Sequence, residues 1–128
     1  MSVLVHGIDL VAVSRIAEMV AEHGDHFIER CFTEPERRAA ANTAPEVAAQ
    51  KYAARFAAKE ATLKALGTGL TGGITWQDVG VVRSDGAPAV ELSGRAAEVA
   101  DAAGIETWRL SLSHTADMAI ASVIGLGG

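Results

Sequence analysis

The longest regular pattern in the chain is helical and covers residues 45–66. Apolar residues recur there every three or four positions and form one stripe, at Tyr52, Phe56, Leu63 and Leu66. The segment Thr43-Ala44-Pro45-Glu46 has the form of a capping box with proline in the first turn. Gly67 stands where helices commonly end in a left-handed residue. The pattern therefore predicts one long helix that ends at Leu66.

Segments with strand character lie on both sides of that helix. The turn dipeptide Asp85-Gly86 separates two short apolar runs, which is a strong hairpin signal. Residues 105–114 alternate, with Trp108, Leu110 and Leu112 on one face, and His114 follows on the same side, toward the core or its rim. The predicted strands are residues 3–9, 79–83, 88–92, 105–114 and 118–124.

Three shorter helices complete the prediction. Ser14 is expected to cap a helix that ends near Gly24. The segment Thr33-Glu34-Pro35-Glu36 is a second capping box, and Ser93 is expected to cap a helix over 94–103. Hairpin-linked strands with separate helices predict an α+β fold, in which an antiparallel sheet packs on one long helix with shorter helices around it.

Composition narrows the class of protein. A chain of 128 residues with 49% hydrophobic residues predicts one domain, 1–128, with a real core. Cys31 is the only cysteine, so no internal disulfide forms and a reducing compartment, the cytoplasm, is expected. Neither a signal peptide nor a membrane-spanning run is predicted. A net charge of -5 argues against a nucleic-acid binder.

Charged residues in the long helix do not fit a purely structural role. Lys59 interrupts the apolar stripe, and Glu60 borders it with Lys64 one turn further on. Asp9 lies between the first strand and the first helix. Two carboxylates suit Mg²⁺, and a metal with a lysine suits attack at a phosphate. The alternatives are an exposed Glu60–Lys64 pair and a turn or cap carboxylate at Asp9.

Other chemistries are disfavoured by spacing. Residues 67–72 match a dinucleotide-binding glycine pattern, but a helix precedes them and no helix is predicted to follow, so a plain or ligand-approached loop is expected. Ser113 and His114 are strand neighbours that point to opposite faces, which argues against a serine hydrolase. The histidines and the cysteine lack zinc-ligand spacing.

Three blocks of sequence, taken together, resemble the short class of 4′-phosphopantetheinyl transferases, and most closely its holo-[acyl-carrier-protein] synthases. They are Gly7-Ile8-Asp9-Leu10, the segment Arg55-Phe56-Ala57-Ala58-Lys59-Glu60-Ala61-Thr62-Leu63-Lys64-Ala65, and Ser111-Leu112-Ser113-His114-Thr115. The central block is highly specific, and all three occur in the family's order and spacing. The resemblance implies transfer of 4′-phosphopantetheine from coenzyme A to a serine of apo acyl carrier protein. Adenosine 3′,5′-bisphosphate would be released, in support of fatty acid biosynthesis.

The resemblance also implies roles for individual residues. Asp9 and Glu60 match the family's magnesium ligands, and Glu60 would help to remove the serine proton. Lys64 matches the lysine that stabilises or protonates the leaving phosphate. The positions that match the lining of the coenzyme A site are Arg55, Lys59, Gly67 and His114. The groups that hold the 3′-phosphate are left open, since Val47 stands near a position that is basic in some relatives.

Assembly and partner binding are likewise implied by the resemblance. Short members are homotrimers with the site between subunits, so one subunit would supply Asp9, Glu60 and Lys64 and the next His114. The residues that match the carrier-binding helix are Arg15, Met19, Phe27 and Arg30. Glu22 and Asp25 depart from the family's basic pattern, so a local basic cluster of Arg15, Arg30, Arg37 and Arg38 is expected to attract the acidic carrier.

Two other functions remain open from the sequence. A nucleotide-binding α+β module would bind coenzyme A without turnover. A structural module whose purpose is trimerisation would keep the apolar helix and have no use for Asp9 or Glu60. A mass gain of one phosphopantetheine on the carrier separates the transferase from both.

Overall fold

A computed structural model describes residues 1–128. It contains five α-helices, α1 (Val13–His23), α2 (Asp25–Cys31), α3 (Glu34–Ala40), α4 (Pro45–Leu66) and α5 (Gly94–Ala102), and a 3-10 turn at Trp76–Asp78. The strands are β1 (Ser2–Ala12), β2 (Val79–Ser84), β3 (Ala87–Leu92), β4 (Ile105–His114) and β5 (Met118–Gly127). No helix is both long enough and apolar enough to cross a membrane.

The strands form two antiparallel sheets. One has the order β1-β5-β4, and the other is the hairpin of β2 and β3. Asp85 and Gly86 make the two-residue turn of that hairpin, and both have positive φ, as the twist of a tight hairpin requires. The predicted α+β class is confirmed, although the strands divide into two sheets rather than one.

Helix α4 is the centre of the molecule. Its inner residues are mostly alanine and are buried on several sides at once, which lets the helix lie close to β1 and β5. Aromatic rings close one side of it, since Phe56 packs against Trp76 at 4.8 Å and against Phe32 at 6.3 Å between centroids. Gly67 ends the helix in the left-handed conformation, as predicted.

Gly7 allows β1 to approach α4 more closely than any other residue would. A Cβ atom at Gly7 would overlap the carbonyl oxygen of Ala61. The strand therefore lies against the helix backbone, and Asp9, two residues further on the same face, is held near the last turns of α4. This close contact sets the position of the candidate site.

Several helix starts differ from the predictions. Helix α1 begins at Val13 without a side-chain cap from Ser14, because β1 stays paired with β5 as far as Ala12. Thr43 does not cap α4 and instead donates from its hydroxyl to the carbonyl of Ala40 at 2.6 Å. Helix α5 follows Ser93 as predicted, but its start is held by Asp78, which accepts from the N–H of Ala96 at 3.2 Å.

Candidate active site

Asp9 and Lys64 meet where β1 crosses the end of α4. Lys64 Nζ donates to Asp9 Oδ1 at 2.6 Å and to the carbonyl of Ile8 at 3.2 Å. The Asp9 side chain is 9% exposed, whereas the Lys64 side chain is 59% exposed. The predicted helical pair of Glu60 and Lys64 is therefore replaced by a pair between two elements, and the hydrogen bond and charge of Asp9 raise the pKa of Lys64.

The Glu60 carboxylate on α4 lies beside the Asp9 carboxylate on β1. Burial raises the pKa of Glu60, and the charge and contact of the Asp9 carboxylate raise it further. Arg15 and Lys64 act in the opposite direction and lower it. The Arg15 guanidinium is itself held 5.7 Å above the centre of the Phe56 ring. Two carboxylates that repel each other are thus kept together by the fold.

The carboxylate pair fits a hard divalent cation. Asp9 Oδ2 is buried and receives no hydrogen bond from the chain. A buried carboxylate oxygen without a donor is costly unless a cation approaches it. No group of three or more potential metal-ligating side chains is present, so Asp9 and Glu60 would be the only protein carboxylates at such an ion. That donor set suits Mg²⁺, which takes its remaining ligands from water and substrate phosphate.

A cavity of about 430 Å³ opens beside Glu60 and Lys64. Glu60, Lys64, Gly67 and Trp76 contribute to its walls, together with the apolar Leu63 and Leu70 and the loop residue Gly69. Gly67, which was predicted to line the coenzyme A site, therefore lies next to Glu60 and Lys64, the predicted catalytic residues. In the loop after α4, Gly67 and Gly69 expose bare backbone to the cavity, and Leu70 is the one bulky side chain that this loop contributes.

A second and larger cavity, of about 780 Å³, is basic; we call it the basic cavity. Its walls include Arg55 and His114, which were predicted to line the coenzyme A site. Three further basic residues also line it, Arg38, Lys51 and Arg83. Burial lowers the pKa of Arg55, and its Nε atom is buried without an acceptor from the chain. Such a concentration of positive charge in a chain with a net charge of -5 indicates an anionic ligand.

Only part of the basic cavity could be predicted from the sequence. Lys51 and Arg55 are four residues apart on α4, so their shared face could be predicted. Arg38 was expected in the carrier-binding cluster, and that expectation was wrong because α3 turns it toward α4 and β2. Arg83 carried no sequence signal, since its place depends on how the β2–β3 hairpin packs.

The basic cavity and the carboxylates are separate within one chain. Arg55 and Glu60 are five residues apart on α4, which places them about 140° apart around the helix axis. No residue lines both the basic cavity and the cavity beside Glu60. The chain therefore presents the two predicted halves of the coenzyme A site on different sides of one helix.

Lys59 does not reach either cavity. Its side chain is 0% exposed, and Nζ forms an ion pair at 2.8 Å with Glu36, which is also 0% exposed. Burial lowers the pKa of Lys59, while the charge and hydrogen bond of Glu36 raise it. The expectation that Lys59 lines a ligand site is contradicted by this burial, because no atom of its side chain is accessible from solvent.

The residues predicted to bind the carrier do come together. Arg15, Met19, Phe27 and Arg30 line one cavity of about 360 Å³, with Phe56 and Trp76 at its base. His23 and His26 also line it and were not predicted. Arg37 and Arg38 are absent from this surface, since Arg37 donates to the carbonyl of Phe32 at 2.6 Å and Arg38 lines the basic cavity. The expected basic cluster is thus split between two surfaces.

Comparison with known proteins places this geometry in a family. Residues 6–121 match the family model of the 4′-phosphopantetheinyl transferase superfamily. A holo-[acyl-carrier-protein] synthase of Koribacter versatilis is 47% identical over 119 residues, which cover 92% of this chain and 94% of the relative.

Solved structures agree with the sequence relatives. The holo-(acyl-carrier-protein) synthase of Bacillus anthracis, solved in complex with CoA (3′,5′-ADP), has a TM-score of 0.80 at 32% identity and covers 98% of both chains. The Helicobacter pylori enzyme in complex with coenzyme A has a TM-score of 0.81 at 31% identity, over 94% of this chain and 99% of that one. The chain therefore belongs to the holo-[acyl-carrier-protein] synthase family of transferases, within the 4′-phosphopantetheinyl transferase superfamily.

Proposed function

We propose that the protein transfers 4′-phosphopantetheine from coenzyme A to a serine of apo acyl carrier protein, with Mg²⁺ at Asp9 and Glu60. The observation that carries the proposal is the meeting of Asp9, Glu60 and Lys64 around a buried carboxylate oxygen that has no partner. The serine oxygen forms a bond to the β-phosphorus of coenzyme A. The bond from that phosphorus to the leaving adenosine 3′,5′-bisphosphate breaks.

Each of the three residues has a separate task in this reaction. Mg²⁺ at the carboxylates would neutralise negative charge on the pyrophosphate. Glu60, one of the two carboxylates at the reacting phosphate, would help to accept the serine proton. Lys64 keeps a charged ammonium at neutral pH and is exposed, so it is available to the leaving phosphate.

The basic cavity would bind the adenosine 3′,5′-bisphosphate end of coenzyme A. Arg55 and His114 were assigned to that site by resemblance, and the fold adds Arg38, Lys51 and Arg83. The Arg55 guanidinium lines this cavity, and its planar set of N–H donors suits phosphate oxygens. We infer that residues of this cavity hold the 3′-phosphate, since Val47 offers no basic group.

We infer a homotrimer in which neighbouring subunits share each site. The separation of the basic cavity from Glu60 within one chain supports this, because one coenzyme A must reach both. The outer face of the three-stranded sheet also exposes large apolar side chains at Ile8, Leu10 and Ile120. One subunit would supply Asp9, Glu60 and Lys64, and its neighbour would supply His114 with the rest of the basic cavity.

One assay tests the transferase directly. The protein is mixed with coenzyme A, Mg²⁺ and an apo carrier of fatty acid synthesis, and the carrier is weighed by mass spectrometry. We expect a gain of one phosphopantetheine, with adenosine 3′,5′-bisphosphate released in equal amount, and loss of both when EDTA replaces Mg²⁺. Binding of coenzyme A without any gain of mass would leave only the non-catalytic nucleotide-binding module.

Paired substitutions test the two binding surfaces. Arg15→Glu is expected to raise the KM for the carrier by about tenfold or more and to change the KM for coenzyme A little. Arg83→Ala, in the basic cavity, is expected to do the reverse. Steady-state kinetics with each substrate varied in turn provide the measurement. Equal effects of Arg15→Glu on both KM values would remove Arg15 from the carrier surface.

A further inference from the structure

The ion pair of Glu36 and Lys59 is closed off from solvent and fully bonded. Glu36 Oε1 accepts from Lys59 Nζ at 2.8 Å and from the N–H of Thr33 at 2.7 Å. Glu36 Oε2 accepts from the N–H of Val81 at 2.7 Å. Lys59 Nζ also donates to the carbonyl of Trp76 at 3.1 Å and to that of Val79. Lys59 thus uses all three of its N–H donors, and both Glu36 oxygens are occupied.

These bonds connect the same elements that form the basic cavity. Glu36 belongs to α3, Lys59 to α4 and Val81 to β2. The outward-facing residues of those elements carry the cavity's cations, Arg38 on α3, Lys51 and Arg55 on α4, and Arg83 on β2. One buried carboxylate therefore links, from behind, three of the elements that line the basic cavity.

We propose that Glu36 and Lys59 are positioning residues for the basic cavity, where they hold α3, α4 and β2 at the spacing at which the arginines converge on one polyanionic ligand. The ligand chemistry is that of a nucleoside bisphosphate, and the proposal rests on the proposed function for its identity as coenzyme A. Neither residue touches the ligand, since both are buried, so each acts through the walls it joins.

Core stability alone does not account for this pair. A buried ion pair is weak evidence for stability, because well-packed apolar residues of similar volume often serve as well. Helix α3 is only seven residues long, and its Arg38 lines the cavity together with the like-charged Lys51 and Arg55 of α4. A directional link behind such a short helix fixes its distance from α4 and β2 in a way that non-directional apolar packing does not.

The test is the affinity for coenzyme A, measured by isothermal titration calorimetry without carrier. Glu36→Gln, Lys59→Met and the double variant are compared with wild type at 15 °C, with circular dichroism used to establish folding. We expect Kd to rise by about tenfold or more in each, because a displacement of about 1 Å in a binding group has effects of this order or larger. The double variant leaves no unpaired buried charge, so it carries the test if the single variants do not fold.

Ile105→Ala is the matched control. It deletes buried methyl groups at the end of β4 opposite to His114, and so destabilises the core away from the cavity. Its Kd for coenzyme A is expected to equal that of wild type. If the Glu36 and Lys59 variants behave like Ile105→Ala, the pair is structural only and the proposal is overturned.

The carrier provides a second readout. The carrier surface, formed by Arg15, Met19, Phe27 and Arg30, contains no residue of α3 or β2. The KM for the carrier should therefore stay within about twofold of wild type in Glu36→Gln, which keeps the bond from Lys59 to the carbonyl of Trp76 at the base of that surface. A rise in both KM values would indicate general distortion and contradict the proposal. Failure of wild type to modify the carrier would instead refute the proposed function, while the calorimetric comparison would still decide the role of the pair.

Discussion

Helix α4 carries two lysine–carboxylate pairs that differ in nearly every physical respect. The pair of Lys59 and Glu36 is 0% exposed at both side chains, and each charged group is saturated with hydrogen bonds. The pair of Lys64 and Asp9 is just as short, at 2.6 Å, yet the lysine is 59% exposed and one carboxylate oxygen has no partner. The two lysines are five positions apart and leave the helix on different sides.

The difference shows how to separate structural from chemical ion pairs in one fold. A saturated pair has no remaining capacity to bind anything, so its contribution is to geometry. An unsaturated pair, with an accessible cation and a free carboxylate oxygen beside a second carboxylate, keeps that capacity for a metal or a substrate. Distance alone does not distinguish them, because both pairs are within ordinary ion-pair range.

Removal of a charge at the unsaturated site should have the largest effect on activity. Glu60→Gln keeps the shape of the side chain and is expected to lower kcat by about 1,000-fold or more, since both proton transfer and cation binding depend on the carboxylate. The mass assay on the carrier gives the rate, and the midpoint of urea unfolding should not fall below that of wild type. A variant with the wild-type rate would eliminate Glu60 as a catalytic residue.

The saturated pair should instead dominate stability. Lys59→Met leaves the Glu36 carboxylate buried without its counter-ion and is expected to lower the free energy of unfolding by about 3–5 kcal/mol. Lys64→Met is the matched comparison at the unsaturated pair, and its loss of unfolding free energy should be smaller because the exposed lysine is screened by solvent. Equal losses in urea denaturation would remove the distinction between the pairs.

Divalent-cation binding by the free protein gives a further test of the unsaturated pair. Lys64 competes with a divalent ion for the charge of Asp9, so Lys64→Met should tighten Mn²⁺ binding by about fivefold while it reduces catalysis. Calorimetry or electron paramagnetic resonance of Mn²⁺ without coenzyme A measures this affinity. Weaker Mn²⁺ binding in the variant would mean that Lys64 supports the metal site and does not compete with it.

The pH dependence of stability should show the smallest effect. The pKa of Glu60 is raised in the folded state, so between about pH 4.3, its usual value when unfolded, and that raised pKa the folded protein binds more protons. The contribution of Glu60 to the free energy of unfolding therefore falls as pH rises through this window and is constant above it. In EDTA, wild type should show this decline relative to Glu60→Gln. The proposed cause would be wrong if the two curves were parallel.

Local sequence determined the elements and their ends. Helix α4 begins at Pro45 and is ended by Gly67, and Asp85-Gly86 forms the hairpin turn. These residues could be recognised because their backbone preferences act over only one or two positions. The candidate reactive groups Asp9, Glu60 and Lys64 could also be proposed from the sequence, since they stand in blocks that resemble a family. A helix cap was less certain from sequence, as Ser14 shows, because strand pairing continued past the predicted end of β1.

Tertiary structure alone decided which charged group meets which. Lys59 was expected at a ligand and lies with Glu36 in the core, whereas Lys64 pairs with Asp9 and not with Glu60. Arg38 and Arg83 reach the basic cavity only because α3 and the hairpin pack against α4. Long charged side chains have many partners within reach, and the choice depends on the desolvation of each site once the backbone has folded. That quantity is a property of the packed molecule and has no counterpart in the order of residues along the chain.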